Sequence, residues 1–274
     1  MNDLVVVDLS HYNTVNSFEQ AKAAGLLAVI HKATQGTTFS DPMYKSRETD
    51  ARAAGLAWAS YHYLMPGDIA DQMWFYLDFA QPPPGSRVCI DYEDAGLVLE
   101  DLREAVSCLA SLDPSLQITI YGGSLLKQQL GADCDPILAE YALWLSQYTS
   151  GAPSWPSGTW PIWSLWQYSD GASGGSPRSI AGIADPVDCN AFNGSRDHCL
   201  KWFGTPEKGV GAQDIVEQDV DEQDVDEQDV GAHDVTQSAS STAVDPACAE
   251  VAISISKPEN VSLTLSVNGV NIQV

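Results

Sequence analysis

Hydrophobic positions along the chain fall in short runs separated by longer stretches with helical spacing. Leu4-Val5-Val6-Val7 runs into Asp8-Leu9-Ser10, and a short apolar run with polar bounds predicts a buried strand. Ser17 then precedes a helical stretch from Phe18 to Ala24, stopped by Gly25. The same alternation predicts strands over Leu26–Ile30, Leu56–Tyr63, Val88–Glu93 and Leu116–Tyr121. Helices are predicted over Tyr44–Ala54, Asp68–Ala80 and Leu97–Leu112 and from Ser124 to Leu130. Leu143–Tyr148 and Ile162–Tyr168 follow as strands without long helices between them. About five strand–helix alternations predict parallel pairing with helices outside, and at ~200 residues a closed α/β barrel is the natural solution. In such a barrel the active residues sit where the strands end.

One strand end stands out. Arg87-Val88-Cys89-Ile90 runs into Asp91-Tyr92-Glu93-Asp94, with Pro82-Pro83-Pro84-Gly85 as a breaker upstream. Side chains alternate along a strand, so Asp91 and Glu93 share a face and Tyr92 points opposite. Two carboxylates on one face repel each other and resist desolvation, which raises at least one pKa and keeps an acid protonated near neutrality. A frayed, solvated turn would account for one acidic strand end. Acids recur, however, at Asp8 and at Asp185 and Asp188, and the recurrence favours a site.

Composition narrows the function. The chain is 44% hydrophobic and has eight Trp and ten Tyr, ample for a core and for flat amphipathic binding surfaces. A net charge of −24 argues against nucleic acid or an anionic membrane as partner. Six cysteines (89, 108, 134, 189, 199, 248) show no CxxC pair and no metal spacing, so no metal or other cofactor is expected. Cys89 and Cys108 read as reduced core residues, whereas Cys189 and Cys199 are candidates to bridge in an oxidant. Met1-Asn2-Asp3 lacks the basic start of a secretory signal. The expectation is synthesis in the cytoplasm, with any target outside reached after release.

Three segments are predicted: a barrel over 1–204, a linker over 205–246 and a small β module over 247–274. Residues 1–204 carry 23 acidic and 11 basic side chains and residues 205–274 carry 14 and 2, a balance of −12 in each. Val210–Asp214, Ile215–Asp219, Val220–Asp224, Val225–Asp229 and Val230–Asp234 form a five-residue repeat, whose period matches neither helix nor strand. Ten acids and no Lys or Arg between 210 and 235 predict a self-repelling, extended linker. Beyond it Val251, Ile253 and Ile255 alternate, then Val261, Leu263, Leu265 and Val267, then Val270, Ile272 and Val274, with turn signals at Pro258-Glu259-Asn260 and Asn268-Gly269. A meander this small cannot hold a core alone, so the module is expected to dock, with self-association favoured over the barrel or a wall component.

The motifs resemble those of glycoside hydrolase family 25 lysozymes, the Chalaropsis-type muramidases. Asp8-Leu9-Ser10-His11-Tyr12-Asn13 is similar to the family's opening strand. His31-Lys32-Ala33-Thr34-Gln35-Gly36, Ala59-Ser60-Tyr61-His62-Tyr63, Ile90-Asp91-Tyr92-Glu93, Ile120-Tyr121, Leu143–Tyr148, Trp166-Gln167-Tyr168 and Val187–Phe192 follow in order. The resemblance spans residues 3 to about 195 and implies a flattened TIM-like (β/α)5(β)3 barrel. It also implies cleavage of the β-1,4 bond between N-acetylmuramic acid and N-acetylglucosamine in bacterial peptidoglycan, in the manner of a phage endolysin or, as a variant, an autolysin. Carried over by position, Glu93 matches the general acid, Asp91 its neighbouring carboxylate, and Asp8 and Asp188 the remaining cleft acids. Gln35 and Cys189 depart from the family pattern without touching the quartet.

Glycoside cleavage needs a proton for the leaving oxygen and negative charge near the oxocarbenium-like carbon. Glu93 reaches further from the strand end and is the better donor. Asp91 is open to three roles: nucleophile, base for water, or partner of the substrate's own N-acetyl group. Asp8 and Asp188 are assigned to water or sugar. Tyr61, Tyr121, Tyr148 and Trp166 are candidate groove walls, while Trp144 and Trp163 read as core and His62 as structural. Lys32 is placed beside the acids as a partner of one of them. A non-catalytic glycan-binding barrel would not need a proton donor, and a chitinase-type barrel would want its acids along a longer strand motif.

Overall fold

The computed structural model describes residues 3–204 and the backbone of two strands near the C-terminus, Thr264–Val267 and Val270–Gln273. The first region runs β1 (Val6–Leu9), α1 (Phe18–Ala23), β2 (Ala28–Gln35), β3 (Phe39–Ser40), α2 (Tyr44–Ala53), β4 (Ala57–Tyr63), α3 (Ile69–Ala80) and β5 (Arg87–Tyr92). It continues through α4 (Leu99–Leu112), β6 (Gln117–Gly122), α5 (Ser124–Leu130), β7 (Ala142–Ser146), β8 (Leu165–Ser169), β9 (Asp188–Phe192) and α6 (Arg196–Trp202). Five β/α units followed by three strands agree with the expected series.

Closure comes from β1, which pairs in parallel with β2 and antiparallel with β9. Around the ring β2, β4, β5, β6, β7 and β8 pair in parallel, and β8–β9 is antiparallel. The result is an eight-stranded closed barrel, with β3 as an extra strand folded back on the end of β2. The helix starts and stops follow local chemistry. Ser17 and Asp68 accept hydrogen bonds from the backbone N–H of Gln20 and Asp71 as N-caps of α1 and α3. Gly25 has φ +107° directly after α1, a conformation that costs glycine least.

Alternation divides the buried apolar residues into two layers. Val7, Leu9, Val29, Val88, Ile90, Tyr92, Leu143, Trp166 and Tyr168 face the helices and the covering loops. Val6, Ala28, Ile30, Ala57, Ala59, Cys89, Trp144 and Leu165 fill the inside of the barrel. The bottom is plugged by α6 and Phe203. Arg87, at the start of β5, stacks 3.5 Å from the Trp202 ring centroid and donates from Nε to the Trp202 carbonyl and from a guanidinium nitrogen to Thr119 Oγ1. With that end sealed, the strands' C-terminal ends form the open mouth.

Two elements were not anticipated, β3 and α6; β9 (Asp188–Phe192) is the third of the late strands that the resemblance implied. Among the cysteines, 89, 108, 189 and 199 are free thiols, so Cys189 and Cys199 do not bridge; Cys189 sits in the outer layer instead, its thiol directed at the Val187 carbonyl. Near the C-terminus, β10 (Thr264–Val267) pairs antiparallel with β11 (Val270–Gln273), Val267 opposite Val270, the register a two-residue Asn268-Gly269 connection requires. The acidic repeat and the predicted strand around 251–255 lie outside the described residues.

Candidate active site

The inward rows of the barrel end at the mouth in polar residues. Val6 is followed two residues on by Asp8, Ala28 and Ile30 by Lys32, Ala57 and Ala59 by Tyr61, and Cys89 by Asp91. On the far side Thr119 leads to Tyr121 and Leu165 to Gln167, while the reversed β9 contributes Asp188 and then Asn190. A period of two thus carries the packed interior directly into the site.

Asp8 and Asp188 stand directly opposite each other in the β1–β9 register, a placement that brings Cβ atoms to about 5 Å. Their carboxyls are hydrogen-bonded to each other. Gln167 Nε2 donates to both Asp8 oxygens at 2.9 and 3.0 Å, and Asn190 Nδ2 donates to Asp8 Oδ2 at 2.7 Å. Burial raises the Asp8 pKa while these donors pull it back. Burial first, and then the Asp8 charge, push Asp188 up to about 9. Asp188 therefore carries the proton of the pair and gives it to the Asp8 carboxylate.

Asp91 is different. It is buried, with 6% of its surface exposed, and Oδ1 has no hydrogen-bond partner. Burial raises its pKa well above the usual carboxylate range. The charge of Glu93 adds to the rise, and Lys32 opposes it. Glu93, one residue past β5, is exposed at the mouth, and the protein packed around it together with Asp8 still raises its pKa. Tyr92 points away into the outer layer, where its hydroxyl donates to Gln129. The acidic quartet is therefore assembled from β1, β5 and β9 at one mouth.

Among the aromatic candidates, Tyr61 lies edge-on to Trp144 with its hydroxyl in the field of all four acids. Tyr121 and Tyr148 both donate to Gln167 Oε1, at 2.7 and 3.0 Å; Tyr121 is buried and Tyr148 is 43% exposed. Trp166 is not at the mouth. It is an outward-facing residue of β8, buried against Trp163 and Tyr168, with its indole N–H donated to the Gln147 carbonyl. The strand's parity gives that inward position to Gln167. Trp144 fills the barrel interior and donates to Asn190 Oδ1, as its core reading requires. His62 is buried between Thr34 and Gln72. Asp185 lies exposed in the loop before β9.

Lys32 makes no direct ion pair with the acids among the described residues. Its ammonium donates to Gln35 Oε1 at 2.6 Å and lies 4.7 Å over the Tyr63 ring, from where its charge still favours ionised Asp91 and Glu93. Gln167, Asn190 and Tyr63 were missed. Each could have been found by counting two residues along its strand, from Leu165, from Asp188 and from Tyr61. No group of His, Cys, Asp and Glu among the described residues is arranged to hold a metal ion.

A closed β/α barrel with clustered acids at its open mouth defines a class of glycoside hydrolase sites. The family model for glycosyl hydrolases family 25 matches residues 7–175, and the chain belongs to that family. Lysozyme M1 of Streptomyces globisporus is 25% identical over 215 residues, covering 71% of this chain and 69% of the relative. The solved muramidase of Trichobolus zukalii is 27% identical with a TM-score of 0.60, covering 74% of this chain and all of the other. The catalytic domain of endolysin ply40, from bacteriophage P40 of Listeria monocytogenes, shares the fold at 21% identity and TM-score 0.57, over 75% of this chain and 100% of that one.

Proposed function

We propose that the protein is a peptidoglycan hydrolase, a lysozyme that cleaves the β-1,4 bond after N-acetylmuramic acid. The observation that carries the reading is that a family 25 chain brings Asp8, Asp91, Glu93 and Asp188 together at one barrel mouth. Glu93 is the proton donor. It is the acid of the quartet most open to a leaving group, and its raised pKa keeps it protonated further toward neutrality.

Asp91 meets the substrate as an acceptor. Its buried, unpartnered Oδ1 is a cost in the empty protein, relieved when an N–H arrives. The 2-acetamido group of the sugar supplies that N–H, and an Asp91 carboxyl oxygen accepting it directs the acetamido oxygen toward C1. Of the three roles open to Asp91, the orphan oxygen supports this one. Asp8 and Asp188, sharing a proton under Gln167 and Asn190, form the fixed floor on which water and sugar are positioned.

The substrate is bacterial peptidoglycan, and the endolysin-like catalytic fold supports host-cell lysis after release from the cytoplasm. The C-terminal β module self-associates in this reading; a protein lacking 205–274 with unchanged mass in solution contradicts that part. The activity is tested with purified peptidoglycan. New reducing ends identified as muramic acid support it, and a release of glucosamine ends or of free peptides refutes it.

A further inference from the structure

Six cysteines are present, and they are not alike. Among the described residues Cys89, Cys108, Cys189 and Cys199 are free thiols, whereas Cys134 is disulfide-bonded. One cysteine remains to serve as its partner. It is Cys248, which lies outside the described residues, three positions before the alternating run that begins at Val251. We infer that Cys134 and Cys248 of one chain form a disulfide, and that the loop after α5 is the seat on which the start of the C-terminal β module docks.

The seat suits a fixed attachment. Cys134 is half-buried in the loop between α5 and β7, and its neighbours hold that loop from both sides. Asp135, beside it, is buried. Its carboxylate accepts from the backbone N–H groups of Ile137 and Leu138 at 3.1 and 3.0 Å and pairs with Arg103 of α4 at 2.7 Å. Thr159, from the β7–β8 connection, donates from Oγ1 to the Asp133 carbonyl at 2.9 Å and accepts from the Asp135 N–H at 3.1 Å. The surface around the cysteine is apolar: Ala132, Pro136 and Ile137 are exposed, Ile137 to 42%. A disulfide holds its two Cα atoms about 4.4–6.8 Å apart, and three extended residues span about 10 Å. Val251 and the apolar positions behind it therefore arrive within reach of Pro136 and Ile137. That is the cover a module too small for its own core requires.

Thiol chemistry favours the same pair. Exchange proceeds through the thiolate. Burial pushes the thiols of Cys89, Cys189 and Cys199 up to about 12 and raises that of Cys108 as well, which keeps these four protonated and slow to react. Closing the bond turns two thiols into one disulfide. Their two protons and two electrons pass to a small-molecule disulfide such as oxidised glutathione, which leaves as two thiols. A reducing cytoplasm opposes that step and an oxidising exterior favours it. The timing of closure thus rests on the reading that the enzyme acts after release, while the pairing itself does not.

The bond falls within one chain. Gly204, where the barrel ends, lies against the Gly85 carbonyl at the sealed bottom. Helices of β/α units run back from the mouth, so the loop after α5 emerges on that same side. As a flexible coil, residues 205–247 span about 35–40 Å, and such a linker gives an effective concentration of about millimolar, which outcompetes a second copy. The mouth stays open, and the β10–β11 hairpin further along remains for the self-association proposed above.

The test is a disulfide map of the full-length protein, purified without reductant, equilibrated with oxidised glutathione, alkylated after denaturation and digested. A peptide pair joining Cys134 to Cys248 is expected in the monomer, with the other four cysteines alkylated. On a non-reducing denaturing gel the closed chain runs ahead of the reduced one, and Cys134→Ser and Cys248→Ser each abolish that shift. A glutamyl protease, which cuts the linker after Glu217, Glu222 and Glu227, leaves barrel and tail joined until a reductant separates them. An alkylated or glutathione-capped Cys134, a bond from Cys134 to another cysteine, or a Cys134–Cys248 bond confined to covalent dimers overturns the assignment. The map involves neither turnover nor mass in solution, so its failure is distinct from failure of the muramidase reading or of self-association.

Discussion

Two pairs of acids share one barrel mouth and are treated in opposite ways. Asp8 and Asp188 have donors on every side: Gln167, Asn190 and each other. Asp91 has the same degree of burial as Asp8 and an oxygen with no partner at all, while Glu93 stands at the surface end of the same strand. The first pair is complete without substrate. The second is complete only with it. A buried group left unsatisfied destabilises the protein and persists where an incoming ligand resolves it. The difference separates a scaffold of charge from the working groups.

The largest expected break of the comparison is at Glu93. Glu93→Gln removes the proton donor and lowers turnover on peptidoglycan by about 10²- to 10⁴-fold, with an unchanged circular dichroism spectrum. Asp91→Asn follows, with kcat reduced by about 10²-fold but a folded state that is no less stable at pH 8. The opposite trend, a strongly destabilised Asp91→Asn protein of near-normal activity, would move Asp91 into the scaffold pair.

Stability against pH sharpens the contrast further. Asp91 and Asp188 have folded pKa values raised above an unfolded value near 3.9. Their folded forms hold protons that the unfolded chain has lost, so their contribution is fully present below about pH 4 and is lost as pH rises, for Asp188 through about 9. His31 and His62, held neutral by burial at about 4, act in the other direction and are lost as pH falls below about 6.5. The wild-type melting temperature is therefore expected to peak between these limits. Asp188→Asn should flatten the decline in melting temperature throughout about pH 4 to 9, as melting curves over that range will report.

A smaller effect is expected at Gln167, which joins Asp8 to Tyr121 and Tyr148. Gln167→Ala strands those hydroxyls and two bonds to Asp8, costing about 1–3 kcal/mol and a roughly 10-fold loss in kcat. Differential melting and reducing-end assays measure the two parts.

Much of this was legible because strand parity is strict. Alternation along Arg87–Asp94 put Asp91 and Glu93 on one face, the buried run from Leu4 ended at Asp8, and the alternation of strands and helices gave five β/α units. The failures lie where tertiary pairing overrides local pattern. Trp166 reads as a sugar platform by type, yet its partners Trp163 and Tyr168 bury it on the outer face, and the parity counted from the inward Leu165 gives the inner position to Gln167. The short β3 is two residues long and exists because it pairs with Thr34 and Gln35, a contact with no periodic signature. Likewise, the pairing of Asp8 with Asp188 joins positions 180 residues apart, and no local spacing announces it.

Whether Glu93 and Asp91 are the working pair of a muramidase is read out by one assay. Purified peptidoglycan is digested with wild-type and Glu93→Gln protein, and the new reducing ends are quantified and identified. Muramic acid is expected at the new ends with wild type, and release roughly 100-fold slower or more with the variant. Undiminished release by Glu93→Gln, or new ends that are not muramic acid, would contradict it.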